Sequence, residues 1–309
     1  MYVTMAFIIL MTVCGNLLVI ISISHFRQLH SPTNLLVLSL AFTDWFLGVL
    51  VLPYSMIRSV ENCWYFGETF CKIHSSLDIM LGHASLLHLG LISVDRYLAI
   101  CKPLQYRTLV SMHKVAALIG ISWLISFAFG FGVILSKMYL VNVEELTSCT
   151  GTCFHVFNKQ GGVMASLVSF FIPGALMTGL YMKIFHVAKV QARKINCSLG
   201  MTRAQLNKNN CTSEQREKKA AKTLGIVLGF FLLCWLPFFL IIIADPFLDF
   251  STPAIALDAL SWLTYFNSTC NPLIYGFFYP CFQRVFKMIM SGQVFQNGSS
   301  LLNIYAESN

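Results

Sequence analysis

The chain alternates between long apolar stretches and short polar ones. Seven apolar stretches fall near 3–24, 33–57, 70–100, 112–135, 162–188, 220–244 and 255–278. Each reaches the length of about 20 residues that a helix needs to cross about 30 Å of hydrocarbon. In lipid an unpaired backbone N–H or C=O is costly, so a single segment spans only as a helix that satisfies its own peptide groups. The pattern therefore predicts an all-α membrane protein, a seven-transmembrane helix bundle over residues 1–279. After the last span, "YPCFQRVFKMIM" puts Phe282, Val285, Phe286 and Ile289 on one face, with Arg284 and Lys287 toward the other. That reads as a short interfacial amphipathic helix at 280–291 lying on the inner leaflet, followed by a polar cytoplasmic tail at 292–309. No internal or inverted repeat appears, and the prolines do not recur in register.

Composition agrees. Of 309 residues, 56% are hydrophobic and only 11% are charged, too few to cover a soluble domain of this size. The net charge of +8 is unevenly placed. With the N-terminus outside, one side collects Arg27, Lys102, Arg107, Lys114, the run from Lys183 to Lys222, Arg284 and Lys287. The other side holds only Arg58, Lys72, Lys137 and Lys159. Basic loops mark the cytoplasmic side, so the charge reflects topology and not a nucleic-acid partner. The expected location is the plasma membrane, multi-pass, with the C-terminus inside and lipid as a partner throughout. Residues 1–24 lack a basic leader and are apolar at full length, so they read as a span and not a cleaved signal. The outer tail before them is nearly absent, and truncation is the expectation. The sequons at Asn196, Asn210, Asn267 and Asn297 fall inside the cell or the membrane, so none is expected to carry sugar. Cys63, Cys71, Cys149 and Cys153 fall outside, where disulfides form. A cysteine of the long outer loop can staple that loop across the mouth of the bundle.

Chemistry enters where charge sits inside the spans. Asp78 lies in the outer third of the third span, seventeen positions before Asp95, or about 25 Å along a helix. A carboxylate in mid-membrane costs on the order of 2.5 to 3.5 kcal/mol. It must face the interior, and no Lys or Arg is expected in the other spans at that depth. One reading is that a ligand supplies the missing cation. The other is a structural carboxylate bonded to hydroxyls such as Tyr265. Around it the sixth span, "GFFLLCWLPFF", brings Trp235, Phe238 and Phe239 to a kink at Pro237, and the seventh brings Trp262 and Tyr265. Aromatic faces attract ammonium groups and stack on aryl rings, so the set fits a small arylalkylamine. Glu61, Glu68, Glu144, Glu145, Asp245, Asp249 and Asp258 predict an acidic mouth that concentrates cations.

A second buried acid, Asp44, has Ser85, Ser268 and Asn271 as oxygen-bearing neighbours. A sodium ion, acting as an allosteric modulator, and a plain hydrogen-bond network are equal readings. No other cofactor is expected. At the inner end Arg96 pairs with Asp95, and Glu217 is a second candidate partner whose release would let the sixth helix swing about Pro237. His83 and His88 are five apart, which is not metal-ligand spacing, and read as polar packing. No HExxH, nucleophile elbow or phosphate loop occurs, so nothing points to an enzyme.

Taken in order, "GN" at Gly15–Asn16, "LAFTD" ending at Asp44, Cys71, "DRY" at Asp95–Tyr97, Trp123, "CWLP" at Cys234–Pro237 and "NPLIY" at Asn271–Tyr275 resemble the rhodopsin-like G-protein-coupled receptors. The likeness covers nearly the whole chain. Asp78 matches the amine-binding aspartate of aminergic receptors. "ENCWYFGETFCKIHSSLDIML" and "YFNSTCNPLIYGFFYPCFQ" resemble the trace amine-associated receptors, and "AKTLGIV" and "ADPFLDF" look most like their type 1 pattern.

The resemblance implies a small amine bound outside and a heterotrimeric G protein, of the stimulatory type, coupled inside. It implies that Asp78 holds the ammonium, Tyr265 orients Asp78, and Trp235, Phe238 and Phe239 hold the ring. Trp262 belongs to the same aromatic set. Phe157 would form a lid and Ser169 would meet a ring hydroxyl. Gly82, where the type 1 pattern has a serine, would enlarge the floor. Ala165, where catecholamine receptors carry a serine, argues against catecholamines. Arg96, Tyr97, Tyr181, Tyr275 and the loop at Pro103–Leu104 would meet the G protein. Cys71 would pair with Cys153, with Cys149 left open. A serotonin-like receptor and an amine transporter are the rivals. The transporter leaves "DRY" and "NPLIY" unexplained, and the seventh span has no Lys for a retinal Schiff base.

Overall fold

The computed structural model describes residues 1–136, 139–140, 153, 156–199, 208–278 and 280–293. Within these bounds, seven spans form the bundle. They are α1 (Tyr2–His25); α2 (Pro32–Phe46) continued through a π turn into α3 (Leu52–Glu61); and α4 (Gly67–Cys101). After a short α5 (Pro103–Leu109) come α6 (Met112–Leu135) and α7 (Lys159–Ser166), which continues through a second π turn into α8 (Ile172–Leu199). Then follow α9 (Lys208–Ala244), α10 (Ala254–Phe278) and α11 (Pro280–Met290). A two-residue antiparallel pair, β1 (Tyr139–Leu140) and β2 (Val156–Phe157), matches Tyr139 with Phe157. Six of the helical segments are long and apolar enough to cross a membrane; α10, with 25 residues, completes the seven. The spans expected from hydropathy recur as helices; the second, fifth and sixth extend by a turn or more beyond the apolar core, and the others match it within three residues at each end.

Local chemistry sets several bends and ends. Ser31 caps α2 by accepting from the Asn34 N–H at 3.2 Å, with Pro32 in the first turn, where its missing N–H costs nothing. Pro53 and Pro173 would each remove a helical N–H bond and clash with the carbonyl four residues back. Each is preceded by a π turn, Leu47–Val51 and Leu167–Phe171, which takes up that misfit and rotates the residues beyond it. The second of these turns carries Ser169.

α4 runs through the centre, packed against α2, α6 and α8. Its approach to α6 is close because Gly130 has no side chain. A Cβ there would lie 2.6 Å from the Ser76 carbonyl oxygen and 2.7 Å from the Met80 Cβ. The lipid-facing side of α6 exposes Leu124, Phe127 and Ile121, as a membrane helix must. α11 corrects one expectation. Its apolar face does not rest only on lipid: Phe282 and Val285 are buried in the main core, against α1 and α10.

Gly130→Val is expected to force α4 and α6 apart and cost about 1–3 kcal/mol. A thermal unfolding scan of the purified protein would read this as a lowered Tm; an unchanged Tm would mean the helices part without cost.

Candidate functional site

Asp78 sits on α4 and its Oδ2 accepts a hydrogen bond of 2.7 Å from the Tyr265 hydroxyl on α10. No ion pair reaches this carboxylate among the described residues. Tyr265 is itself fixed: it is buried, and the Trp262 ring meets it edge-on at 5.6 Å. This corrects the expectation for Trp262, which does not line the cavity. Its indole N–H instead donates to Ser59 Oγ at 2.9 Å, and Ser59 donates to Asp258 at 2.6 Å. Trp262 therefore braces the residue that braces Asp78.

The cavity beside Asp78 has a volume of about 130 Å³. Trp235, Phe238 and Phe239 of α9 form one wall, Phe157 of β2 another, and Ser169 a third. Phe239 is held between Trp235 at 5.9 Å and Phe170 at 4.8 Å, both near-parallel. Gly82 lies opposite, where a Cβ would come within 3.5 Å of the Trp235 ring. Most of the expected set thus meets around one space. Reading the sequence missed Ser166, whose buried hydroxyl lines the cavity without a hydrogen-bond partner among the described residues. His83 packs as a polar group, as the sequence suggested, stacking on Phe129 at 4.6 Å and meeting Ser126 at 3.1 Å, and it also lines the floor of the cavity. Helical spacing was the available signal: Ile79, Gly82, His83 and Leu86 continue the face of α4 that Asp78 begins.

A second chamber of about 150 Å³ shares Asp78, Phe157 and Phe238 with the first and adds Arg58 and Asp245. Arg58 bears on the expectation that no Lys or Arg lies in the other spans at the depth of Asp78: it belongs to the second span and lines the same chamber. The helix α3 continues past the apolar stretch and buries it. Its guanidinium lies 3.9 Å from Asp258 and donates to the Cys153 carbonyl at 3.5 Å, so it serves the outer rim and does not neutralise Asp78. The acidic mouth is reduced accordingly. Asp258 and Asp245 are buried, with Asp245 accepting from the Thr252 N–H at 3.0 Å, and Glu68 is paired with Lys72 at 2.6 Å. Glu144 and Glu145 lie outside the described residues. The Cys71–Cys153 disulfide is formed and roofs this end. Cys63 is also oxidised, and Cys149 lies outside the described residues.

Deeper in, Asp44 is fully buried. Its Oδ1 accepts from Ser268 at 2.7 Å and Ser85 at 3.2 Å, and its Oδ2 from Asn271 Nδ2 at 2.7 Å. A carboxylate beside two hydroxyl oxygens is the hard donor set a sodium ion takes, so the residues fit that ion as well as a closed network.

At the far end Arg96 Nε donates to Asp95 Oδ2 at 3.0 Å, and its Nη2 donates to Thr33. Asp95 also accepts from Thr33 at 2.9 Å and from Tyr106 at 2.8 Å. Burial, helped by the Asp95 carboxylate, pushes the Tyr106 phenol above its ordinary value. Tyr181 receives a hydrogen bond from Ser93 at 3.0 Å, Tyr97 packs on the core, and Leu104 is 95% exposed just after Pro103. The side chains of Glu217 and Tyr275 lie outside the described residues.

Residues 15–275 match the family described as "7 transmembrane receptor (rhodopsin family)". Trace amine-associated receptor 1 of Macaca mulatta is 49% identical, over 100% of this chain and 92% of that receptor. Trace amine-associated receptor 4 of Rattus norvegicus is 48% identical and receptor 2 of Mus musculus 50%, each over 99% of this chain and 89% of the relative. Type 1 is thus among the similar relatives, alongside types 2 and 4. The chain belongs to the rhodopsin family of seven-transmembrane receptors and, within it, to the trace amine-associated receptors.

Proposed function

We propose that the protein is a cell-surface receptor for small arylalkylamines that activates a heterotrimeric G protein of the stimulatory type. The observation that carries this reading is the cation-free Asp78 carboxylate, held by Tyr265 beside an aromatic chamber. The N-terminal end and the disulfide face outside, in keeping with the basic residues at the opposite end. The ammonium pairs with Asp78, and the aryl ring enters between Trp235, Phe238 and Phe239. Cation–π attraction adds about 0.5–2 kcal/mol. Phe157 closes the chamber, and a ring hydroxyl meets Ser169 or the unsatisfied Ser166.

Signalling follows from differential affinity: the amine shifts the equilibrium only by binding one state better. The favoured state is the one in which α9 swings about Pro237. Its inner end would then move outward and open a crevice beside Arg96, Tyr97, Tyr181 and Pro103–Leu104 for the G protein. Glu217 is the residue of α9 that we propose as the restraint on Arg96. A sodium ion held by Asp44, Ser85 and Ser268 would supply a positive charge that stabilises the resting state, with Asn271 orienting the carboxylate.

The test is cyclic AMP in cells expressing the chain, across 2-phenylethylamine, tyramine, octopamine, dopamine and serotonin. Asp78→Ala is expected to raise the half-maximal concentration of the best amine at least about 30-fold at equal surface expression, since breaking a buried charge pair costs about 2–5 kcal/mol. Silence across the panel from a surface-expressed wild type would contradict the reading. Tyr265→Phe, which keeps the ring and removes the donor to Asp78, is expected to lower potency about 10-fold or more. Equal potency would make that hydrogen bond incidental. Ser166→Ala with Ser169→Ala is expected to weaken tyramine and leave 2-phenylethylamine unchanged; parallel loss of both would place the ring elsewhere.

A further inference from the structure

A groove of about 440 Å³ opens between α8 and α9 at the basic end of the bundle, away from the amine chamber. Its character changes along its length. Met182, Ile184 and Phe185 of α8 and Leu228 of α9 make it apolar, with Tyr181 at the bundle side. Met182 and Phe185 are 69% and 59% exposed, so their surfaces are left for lipid and not for protein. Farther along, His186 and Lys189 line the same groove. Residues 182, 185, 186 and 189 share one face of a helix by spacing. Lys189 lies about 10 Å beyond Met182 along the axis. In the sequence the apolar stretch of this span ends near residue 188, next to Lys189.

Apolar walls at acyl depth therefore give way to a cation at headgroup depth. Among the described residues, no acidic side chain lines the groove. Neither His186 nor Lys189 is engaged in a hydrogen bond or ion pair among the described residues. Gly225 of α9 leaves room on the opposite wall: a Cβ there meets nothing within 4 Å.

We propose that this groove binds an anionic phospholipid of the inner leaflet, with one acyl chain between α8 and α9 and the phosphate on Lys189 and His186. The match is one of charge and of depth. A neutral lipid would fill the walls and leave the cations unmatched, and a free phosphate would leave the apolar walls bare. A basic side chain near an anionic headgroup contributes on the order of 1 kcal/mol, or about fivefold in affinity. Since the walls belong to two different helices, the bound lipid would also sense the distance between them.

The test is native mass spectrometry of the full chain in mild detergent, offered phosphatidylserine and phosphatidylcholine with identical acyl chains. Wild type is expected to retain phosphatidylserine at least about fivefold over phosphatidylcholine. Lys189→Ala should remove most of that preference, whereas Lys183→Ala, an exposed change on the same helix outside the groove, should not. Gly225→Phe should fill the groove and lower retention of both lipids without altering charge. Equal retention of the two lipids by wild type would overturn the proposal. So would equal effects of Lys183→Ala and Lys189→Ala, which would mean diffuse surface attraction. Undiminished retention in Gly225→Phe would place the lipid elsewhere. Dimer masses lost in Gly225→Phe without loss of lipid would make the groove a contact between copies. If Gly225→Phe does not fold, the two lysine variants decide alone.

Discussion

The hydrogen bond from Tyr265 to Asp78 joins the two features on which the site depends. One is an anion in a place where anions are expensive. The other is the packing that keeps it there. Without a cation the carboxylate carries an unmet electrostatic demand, and one hydroxyl meets only part of it. The protein invests a chain of buried groups in this arrangement: Asp258 receives Ser59, Ser59 receives Trp262, and Trp262 packs on Tyr265. Arg58 closes that chain at the rim. Arg58, which lines the adjoining chamber, is thus engaged with Asp258 and the Cys153 carbonyl, and no ion pair reaches Asp78 among the described residues.

α4 links this site to the rest of the bundle. Asp78, Ser85 and Ser93 lie seven and eight residues apart, so they recur near one face about every 10 to 12 Å. Ser85 meets Asp44, Ser93 meets Tyr181, and two residues farther on Asp95 meets Arg96, Thr33 and Tyr106. The steps join α4 to α10, to α2 and to α8 in turn, and at the inner end to α2 again through Thr33 and to α5 through Tyr106. A helix placed at the centre by its close approach to Gly130 is well positioned to report on several neighbours at once.

Much of this was legible in the sequence because membrane physics leaves few options. A stretch of twenty apolar residues has one spanning conformation available, so the spans were readable from hydropathy. Asp78 and Asp44 stood out because charge in a span demands a partner, and the hydroxyls and amide near Asp44 were readable in the same way. Misreadings arose where tertiary contact decides. Trp262 and Phe238 look alike in sequence, yet Ser59 turns one into a brace. Arg58 and Asp258 read as separate charges of the outer side, because nothing local says that α3 continues past the apolar stretch and brings them together. Ser166 faces the cavity from the turn that leads into the π turn before Pro173, and that turn shifts the helical phase on which a sequence reading relies. On α11, amphipathic spacing identified the apolar face but not that the bundle, rather than lipid alone, would cover it.

The central claim is that Asp78 awaits a ligand cation. Its most direct test is binding of 2-phenylethylamine and of its neutral isostere, 2-phenylethanol, to the purified receptor, read by calorimetry or ligand-induced thermal shift. The two share the aryl ring and the two-carbon tether and differ in the ammonium. The account predicts that the amine binds and the alcohol is weaker by at least about 30-fold, the scale of a lost buried charge pair. Equal binding of the two would mean that the ring alone is recognised and that Asp78 is a structural carboxylate.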